Sequence, residues 1–121
     1  MLNTGIYRIR NIKNGVVYIG SSNNLSKRKR QHFSELAENR HVNKRLQSEY
    51  NEYGADKFVF ETIEYTLAST RLKREQYWIN HYKKNGKVYN TGTANIKEKT
   101  LIEKLMNVWR ATWNAIKDEF L

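Results

Sequence analysis

An Asn14-Gly15 pair between two short apolar segments constrains the fold of this chain more than any other feature. Asn-Gly is a strong signal for a β-hairpin, and the flanking segments are rich in Ile and Val, which favour strands. The first segment contains Gly5-Ile6-Tyr7 and the second contains Tyr18-Ile19-Gly20. The sequence therefore predicts an antiparallel hairpin near the start of the chain.

The length of the hairpin loop decides which side chains become neighbours. With a two-residue loop, Tyr18 lies opposite Asn11 and about 13 Å along the strand from Tyr7. With a four-residue loop over 12–15, Tyr18 lies opposite Ile9, and the two tyrosines are diagonal neighbours about 7 Å apart on one face. We favour the four-residue loop because two phenols at that distance can bracket one phosphate. An ordinary aromatic pair over a core is the alternative.

Charge is distributed unevenly along the 121 residues, a length that suits one compact domain. Residues 1–92 hold 17 Lys and Arg against 8 Asp and Glu, within a net charge of +10 for the whole chain. Such a field favours polyanions, first nucleic acid and second an anionic membrane surface, although it can also serve solubility alone. We therefore expect a basic domain over 1–92 and a separate C-terminal segment over 93–121.

Several classes of protein are excluded by what the sequence lacks. It contains no cysteine, which rules out disulfides, thiolate zinc sites and thiol catalysis. It has no apolar run of 18 residues, and its first residues lead directly into the hairpin and leave no room for a signal peptide. We expect an intracellular, cytoplasmic protein with no membrane contact, of a kind that a phage could encode.

A first helix is predicted over about 25–39, after a loop rich in Ser and Asn that suits an N-cap. Its inward line runs through Leu25, Arg28, His32 and Leu36, which share one helical face. Taken singly, Arg28 could extend to the surface and His32 could be a hydrogen-bonded core histidine. Together, one turn apart and just after two tyrosines, they indicate an anion site.

A second helix is predicted over about 42–53, with Val42 at the start of its apolar stripe and Gly54 as its C-cap. Basic residues stand at its start, where they could face nucleic acid or simply solvent; His41 and Lys44 are the candidates for nucleic-acid contact. Residues 57–65 alternate and predict a third strand. A third helix is expected over about 72–83, then an extended piece over 88–92 and an amphipathic helix over 96–120.

Glu75 lies on the apolar face of the third helix, in line with Leu72, Ile79 and Tyr82. An ionised carboxylate there costs several kcal/mol unless it is paired or coordinates a metal. A salt bridge to Arg28 or to another buried cation is the alternative to a metal. Arg71 and Arg74 are expected to point elsewhere on the helix.

These residues, in this order and spacing, resemble the GIY-YIG nuclease family, and most of all the catalytic domain of phage-type homing endonucleases. The residues that carry the resemblance are Gly5-Ile6-Tyr7, Tyr18-Ile19-Gly20, Arg28, His32, Glu75, Tyr89 and Asn90. It covers roughly residues 4–92. It implies an α+β fold, a three-stranded antiparallel sheet flanked by helices, with the predicted C-terminal amphipathic helix as an addition. It also implies DNA phosphodiester hydrolysis with one divalent metal, Mg²⁺ or Mn²⁺.

The resemblance implies a role for each candidate catalytic residue. Glu75 would hold the metal, and Arg28 would bind phosphate oxygens with its fork of donors. Tyr7 would act as general base toward the attacking water, with His32 as proton acceptor if its pKa stays near 6.5. Tyr18 would bind the phosphate or assist the leaving group, and Asn90 would support Glu75 or bind phosphate.

Two other functions stay open at this point. The chain could be a basic nucleic-acid-binding module that keeps the fold without cutting, although such a module gains nothing from a buried carboxylate. It could also be a helper subunit that forms a homodimer through residues 96–120.

Overall fold

A computed structural model describes residues 3–91 of the chain. Its strands and helices follow the sequence as β1 (Gly5–Asn11), β2 (Val17–Ser22), α1 (Leu25–Ala37), α2 (Lys44–Tyr53), β3 (Phe58–Tyr65) and α3 (Arg71–Lys83). Short 3₁₀ turns at Ala55–Lys57 and Ala68–Thr70 lead into β3 and α3. The helix predicted over 96–120, its dimer contact and the boundary at 92–93 lie outside the described residues.

The three strands form an antiparallel sheet of order β2-β1-β3, with β1 at its centre. Tyr18 pairs with Ile9, and Tyr7 pairs with Gly20. The backbone N–H of Asn11 donates to the carbonyl of Val16 at 3.0 Å and closes a four-residue loop. The preferred register is therefore confirmed, and with helices packed on both faces of the sheet, so is the predicted α+β class.

Alternation along β1 and β2 divides their side chains between two faces of the sheet. The α1 face carries Tyr7, Ile9, Val16 and Tyr18, and packs against Leu25 and Leu36 of α1 and Leu46 of α2. The α3 face carries Ile6, Val17 and Ile19, and packs against Ile79 of α3. Burying one such aliphatic side chain contributes about 1.5–3 kcal/mol, so both faces stabilise the sheet.

Two glycines of the tripeptides allow close approach within the sheet. A Cβ added at Gly20 would overlap the hydroxyl of Tyr7 and lie 2.9 Å from the ring carbon Cε2. A Cβ added at Gly5 would overlap the carbonyl oxygen of Glu64 in β3. The phenol of Tyr7 can therefore lie across β2 only because residue 20 has no side chain.

The second helix begins two residues later than predicted, at Lys44, because Asn43 is its N-cap. The Asn43 side chain accepts a hydrogen bond from the backbone N–H of Leu46 at 2.9 Å. Val42 therefore precedes the helix and is 59% exposed, whereas we expected it on the buried stripe. Gly54 ends the helix with a positive φ of 95°, as predicted for a C-cap.

The predicted extended piece after α3 runs beside the outer edge of β2. Val88 forms a parallel bridge with Val17, and the Tyr89 N–H donates to the Val17 carbonyl at 2.8 Å. Tyr89 and Asn90 are both buried there. Over residues 3–91, every helix is too short or too polar to cross a bilayer.

Candidate active site

Tyr7 and Tyr18 lie on the α1 face of the sheet and are almost fully buried, at 1% and 4% exposure. Phe60 of β3 stacks on the Tyr7 ring with centroids 4.6 Å apart. Burial raises the pKa of Tyr18 to about 12 and raises the pKa of Tyr7 further. Both phenols are therefore neutral at pH 7, and lowering their pKa requires positive charge close by.

The first helix brings His32 to the two tyrosines, as the sequence predicted. The Nε2 atom of His32 hydrogen bonds to the hydroxyl of Tyr7. Its ring centroid lies 5.2 Å from that of Tyr7 and 5.4 Å from that of Tyr18. Burial, with the Arg28 cation and His41 as further causes, lowers the pKa of His32 to about 2. The pKa of His32 therefore does not stay near 6.5, because the ring is removed from water.

Arg28 supplies the positive charge of the site from the first turn of α1. Its side chain is half-buried, and its charge lowers the pKa of Tyr7 and of Tyr18 against the effect of burial. It lines an open cleft of about 610 Å³ on the outside of α1. Three more cations line the same cleft: Lys27, Arg30 and Arg40.

Glu75 is buried at 5% exposure and approaches β2 from the α3 side. The Ser21 hydroxyl donates to Glu75 Oε1 at 3.1 Å, and Arg71 Nη1 donates to the same hydroxyl oxygen at 2.8 Å. Ser21 lies on the α3 face of β2 and follows Gly20, so Glu75 and the Tyr7 phenol approach neighbouring residues of this strand from opposite faces. The negative charge of Glu75 raises the pKa of both tyrosines.

Arg71 and Arg74 differ in their relation to the site. Arg74 pairs with Glu64 at 2.6 and 2.7 Å, so it points away from Glu75 as predicted. Arg71 instead joins the hydrogen-bond network of Glu75 through Ser21, contrary to the prediction that it points elsewhere. Its position at the start of α3, one turn before Glu75, is the signal that could have suggested this.

Asn90 uses both ends of its carboxamide on the backbone of β2. Its Oδ1 accepts from the Ile19 N–H at 2.8 Å, and its Nδ2 donates to the Ile19 carbonyl at 2.9 Å. It therefore holds the segment after α3 against the strand that carries Tyr18 and Ser21. The predicted role in supporting Glu75 or binding phosphate stays a prediction.

His41 is the largest departure from the sequence prediction. It is fully buried, and its Nε2 lies 2.8 Å from Nδ1 of His32, so direct contact with nucleic acid is excluded by its burial. Lys44, the other candidate at the start of α2, is exposed. Recognising Asn43 as the N-cap in the sequence would have placed His41 before the helix, away from its basic surface.

His32, His41 and Glu35 also form a group with metal-ligand chemistry. One possible ligand atom from each of these residues lies within 4.8 Å of the others. This group lies on the α1 face, whereas Glu75 approaches from α3. The described part of the chain therefore offers two different donor sets, one of nitrogen and carboxylate, the other of carboxylate and hydroxyl.

Comparison with known proteins identifies the family of this chain. The sequence profile of the GIY-YIG catalytic domain matches residues 3–90. Intron-associated endonuclease 1 of Enterobacteria phage T4 is 32% identical over 95 residues, which are 77% of this chain and 38% of that protein. The chain thus spans less than two fifths of the length of that curated relative.

Two solved structures share the fold. The catalytic domain of homing endonuclease I-TevI has a TM-score of 0.67 at 30% identity, covering 73% of this chain and 97% of that one. A mutant of the catalytic domain of intron endonuclease I-TevI has a TM-score of 0.65 at 30% identity, covering 72% and 91%. The fold is thus that of a nuclease domain, and it resembles the catalytic domain of a homing endonuclease. The chain belongs to the GIY-YIG family, whose nucleases act on DNA and depend on a divalent metal.

Proposed function

We propose that this chain is the catalytic part of an endonuclease that hydrolyses DNA phosphodiester bonds at the β2 edge of its sheet. The observation that carries the proposal is convergence around Gly20. The Tyr7 phenol lies across this glycine, Ser21 holds Glu75 beside it, and Arg28 and Glu75 both change the pKa of the two tyrosines. These contacts support a site at the edge of β2 to which β1 contributes the base, α1 the cation and α3 the carboxylate.

The carboxylate of Glu75 fits a hard divalent cation. It is an oxygen donor, and the Ser21 hydroxyl oxygen lies 3.1 Å from it, so this place offers the oxygen ligands that Mg²⁺ prefers. The nitrogen donors of His32 and His41 fit Mg²⁺ poorly, because this ion prefers oxygen. We therefore propose a single site at Glu75 for Mg²⁺ or Mn²⁺. Such an ion would neutralise charge on the scissile phosphate and the leaving oxygen.

The remaining roles follow from the chemistry of each side chain. Arg28 would hold the phosphate oxygens with its planar fork of donors. Tyr7, once it has lost its proton to solvent, would take a proton from the attacking water. Tyr18, on the same face and also close to Arg28, would bind the phosphate. Asn90 would act on the reaction through β2, by keeping Ile19 and its neighbours in place.

The cleft outside α1 provides a path for the DNA backbone. Its cations, Lys27, Arg30 and Arg40, continue the positive charge of Arg28 along the surface. Contacts of this kind bind phosphates without reading bases, and they weaken as salt rises. We propose that this cleft, with the exposed Lys44, holds DNA while the residues around Gly20 act on one phosphate.

We also propose that residues 96–120 contact a second copy of the chain. Their sequence places apolar residues, including Trp109 and Trp113, on one side of the predicted helix. Comparing the mass in solution of the full chain with that of a chain ending at residue 92 tests this. A full chain that has the mass of a monomer in solution would contradict it.

A cleavage assay with matched carboxylate variants tests the proposed nuclease site. Wild-type protein should nick or linearise supercoiled plasmid with Mg²⁺, and EDTA should prevent this. Glu75→Gln should lower the single-turnover rate by about 10³-fold or more, because the metal supplies several kcal/mol to the transition state. Glu52→Gln, at an exposed position of α2, is the control and should cut normally.

Binding must be measured beside cleavage. Fluorescence anisotropy should give Glu75→Gln an affinity for DNA equal to or higher than that of wild type, because one negative charge is removed. Full cleavage by this variant would remove the metal role of Glu75. A wild-type protein that binds DNA but cuts neither plasmid nor single strands would be a binding module instead.

A further inference from the structure

On the α1 face, a single backbone amide determines which ring nitrogens of the buried pair His32 and His41 carry protons. The N–H of Asn43 donates to Nδ1 of His41 at 3.0 Å. A backbone amide can only donate, so His41 Nδ1 carries no proton. In the neutral ring the proton is then on Nε2, which lies 2.8 Å from His32.

The proton on His41 determines in turn the tautomer of His32 and its hydrogen bond to Tyr7. His41 Nε2–H donates to Nδ1 of His32, so the neutral His32 ring carries its own proton on Nε2. That nitrogen hydrogen bonds to the Tyr7 hydroxyl, so the phenol oxygen accepts. Both rings are neutral at pH 7, since burial lowers the pKa of His32 to about 2 and that of His41 to about 4.

We propose that His41 is a positioning residue that holds His32 in the Nε2–H tautomer, so that His32 donates a hydrogen bond to Tyr7 and does not take its proton. This inference rests on the proposed nuclease function and assigns a further residue to its site. The phenol proton of Tyr7 points away from His32. After that proton has left to solvent, the oxygen anion keeps the His32 hydrogen bond and the nearby charge of Arg28.

The surrounding contacts hold His41 in this orientation. Its own backbone N–H donates to Gln47 Oε1 at 2.9 Å, and Gln47 Nε2 donates to the Leu36 carbonyl at 3.0 Å. The connection between α1 and α2 is thereby joined to both helices. Asn43, the source of the first hydrogen bond, is fixed in turn as the N-cap of α2.

The same hydrogen bonds argue against a metal between His32 and His41. A cation bound to Nε2 of a neutral His41 would require the proton on Nδ1. That proton would then face the Asn43 N–H across 3.0 Å, and two donors would be opposed in a buried place. The cluster of His32, Glu35 and His41 is therefore better described as a hydrogen-bond chain than as a metal site.

Two substitutions of His41 test whether the direction of its hydrogen bonds matters or only the space that its side chain fills. The amide of His41→Gln can accept from Asn43 and donate to His32, so the chain keeps its direction. The carboxylate of His41→Glu can only accept, so it would place the His32 proton on Nδ1 and turn His32 Nε2 into an acceptor for the Tyr7 hydroxyl. We expect His41→Gln to cut within about 10-fold of wild type. His41→Glu should lose about 10- to 100-fold, the contribution of one hydrogen bond to a charged oxygen.

The experiment combines nitrogen NMR with single-turnover cleavage and DNA binding. Long-range ¹H–¹⁵N spectra of the full chain, with His81→Gln used for assignment, report which nitrogen of each ring is protonated. We expect Nε2–H in both His32 and His41, and a switch to Nδ1–H at His32 in His41→Glu with unchanged DNA affinity.

Three outcomes would overturn the inference. One is Nδ1–H at His32 of the wild-type protein, a reading that does not need the variants to fold. Another is a His41→Glu protein in which the tautomer of His32 has switched but cleavage is as fast as in wild type. The third is stoichiometric displacement of the His32 and His41 signals by added Zn²⁺, which would assign a metal site. Failure of the nuclease proposal is separate, since wild-type protein would then cut no DNA whatever its tautomers.

Discussion

The two faces of the sheet are built from alternate residues of the same strands, yet their interiors differ in kind. The α3 face is a cluster of Ile6, Val17, Ile19 and Ile79, with partly buried aromatic rings around it. The α1 face also has an apolar cluster, but a buried chain of hydrogen bonds runs through it from Asn43 to Tyr7.

This difference shows how a small domain can bury catalytic groups without losing its fold. A buried polar group costs about 1–3 kcal/mol when it has no hydrogen-bond partner. On the α1 face each ring nitrogen of the two histidines has a partner, and each partner fixes the next. The α3 face needs no such chain, and the carboxylate that is buried there, that of Glu75, lies at the margin beside Ser21. We therefore expect the apolar cluster of the α3 face to supply stability, and the α1 face, together with Glu75 at the margin, to supply chemistry.

The largest expected effect is on the α3 face. Ile79→Ala should lower the free energy of unfolding by about 2–5 kcal/mol, because it removes buried methyl groups from a side chain that is 1% exposed. Urea denaturation measures this, and the single-turnover rate of the folded protein should stay near that of wild type. Ile79→Val, which should cost about 0.5–1.5 kcal/mol, provides the graded control. A rate that falls in step with stability would break the division between the faces.

A second substitution, at the strand between the faces, should affect cleavage first. Gly20→Ala places a methyl group where the Tyr7 hydroxyl lies, so the phenol must move. Because displacement of a reacting group by about 1 Å can cost 10²-fold, we expect a loss of about that size in the single-turnover rate. Gly20→Ala should also lower the free energy of unfolding. This loss should be smaller when Tyr7 is replaced by Leu, with a coupling energy of about 0.5–3 kcal/mol between the two substitutions. Additive effects of the two substitutions would contradict the contact.

The smallest effect concerns acid. His32 and His41 have lowered pKa values when folded, so between pH 6.5 and about 4 the unfolded chain binds protons that the folded chain does not. Stability is therefore full above pH 6.5 and falls as pH decreases. By pH 5 the loss should reach up to about 2 kcal/mol for each of the two histidines taken alone.

Urea midpoints at pH 7, 6 and 5 measure this loss, in a range where most carboxylates stay ionised. His41→Gln should show a shallower dependence because one of the two titrating groups is gone. Equal slopes in the two proteins would show that the buried histidines do not control the acid response.

Much of the fold could be predicted because local rules and the tertiary structure agree. The Asn14-Gly15 turn, the alternation over residues 58–65 and Gly54 as a helix end needed only neighbouring residues. Arg28, His32 and Glu75 were candidates because each is a polar residue on an otherwise apolar helix face, and Tyr7 was a candidate because of the hairpin register. Val42 and the start of α2 were misplaced because Asn43 was not recognised as a cap.

The amino-acid sequence was enough to predict the order of strands and helices, the faces on which Tyr7, Arg28, His32 and Glu75 lie, and the basic charge of the domain. These depend on periodicity and turn chemistry, which act over a few residues. The tertiary structure alone decided that His41 is buried, that Arg71 shares Ser21 with Glu75 and that His32 is neutral. Burial and hydrogen bonding join residues that are far apart in the chain, and pKa values depend on these surroundings.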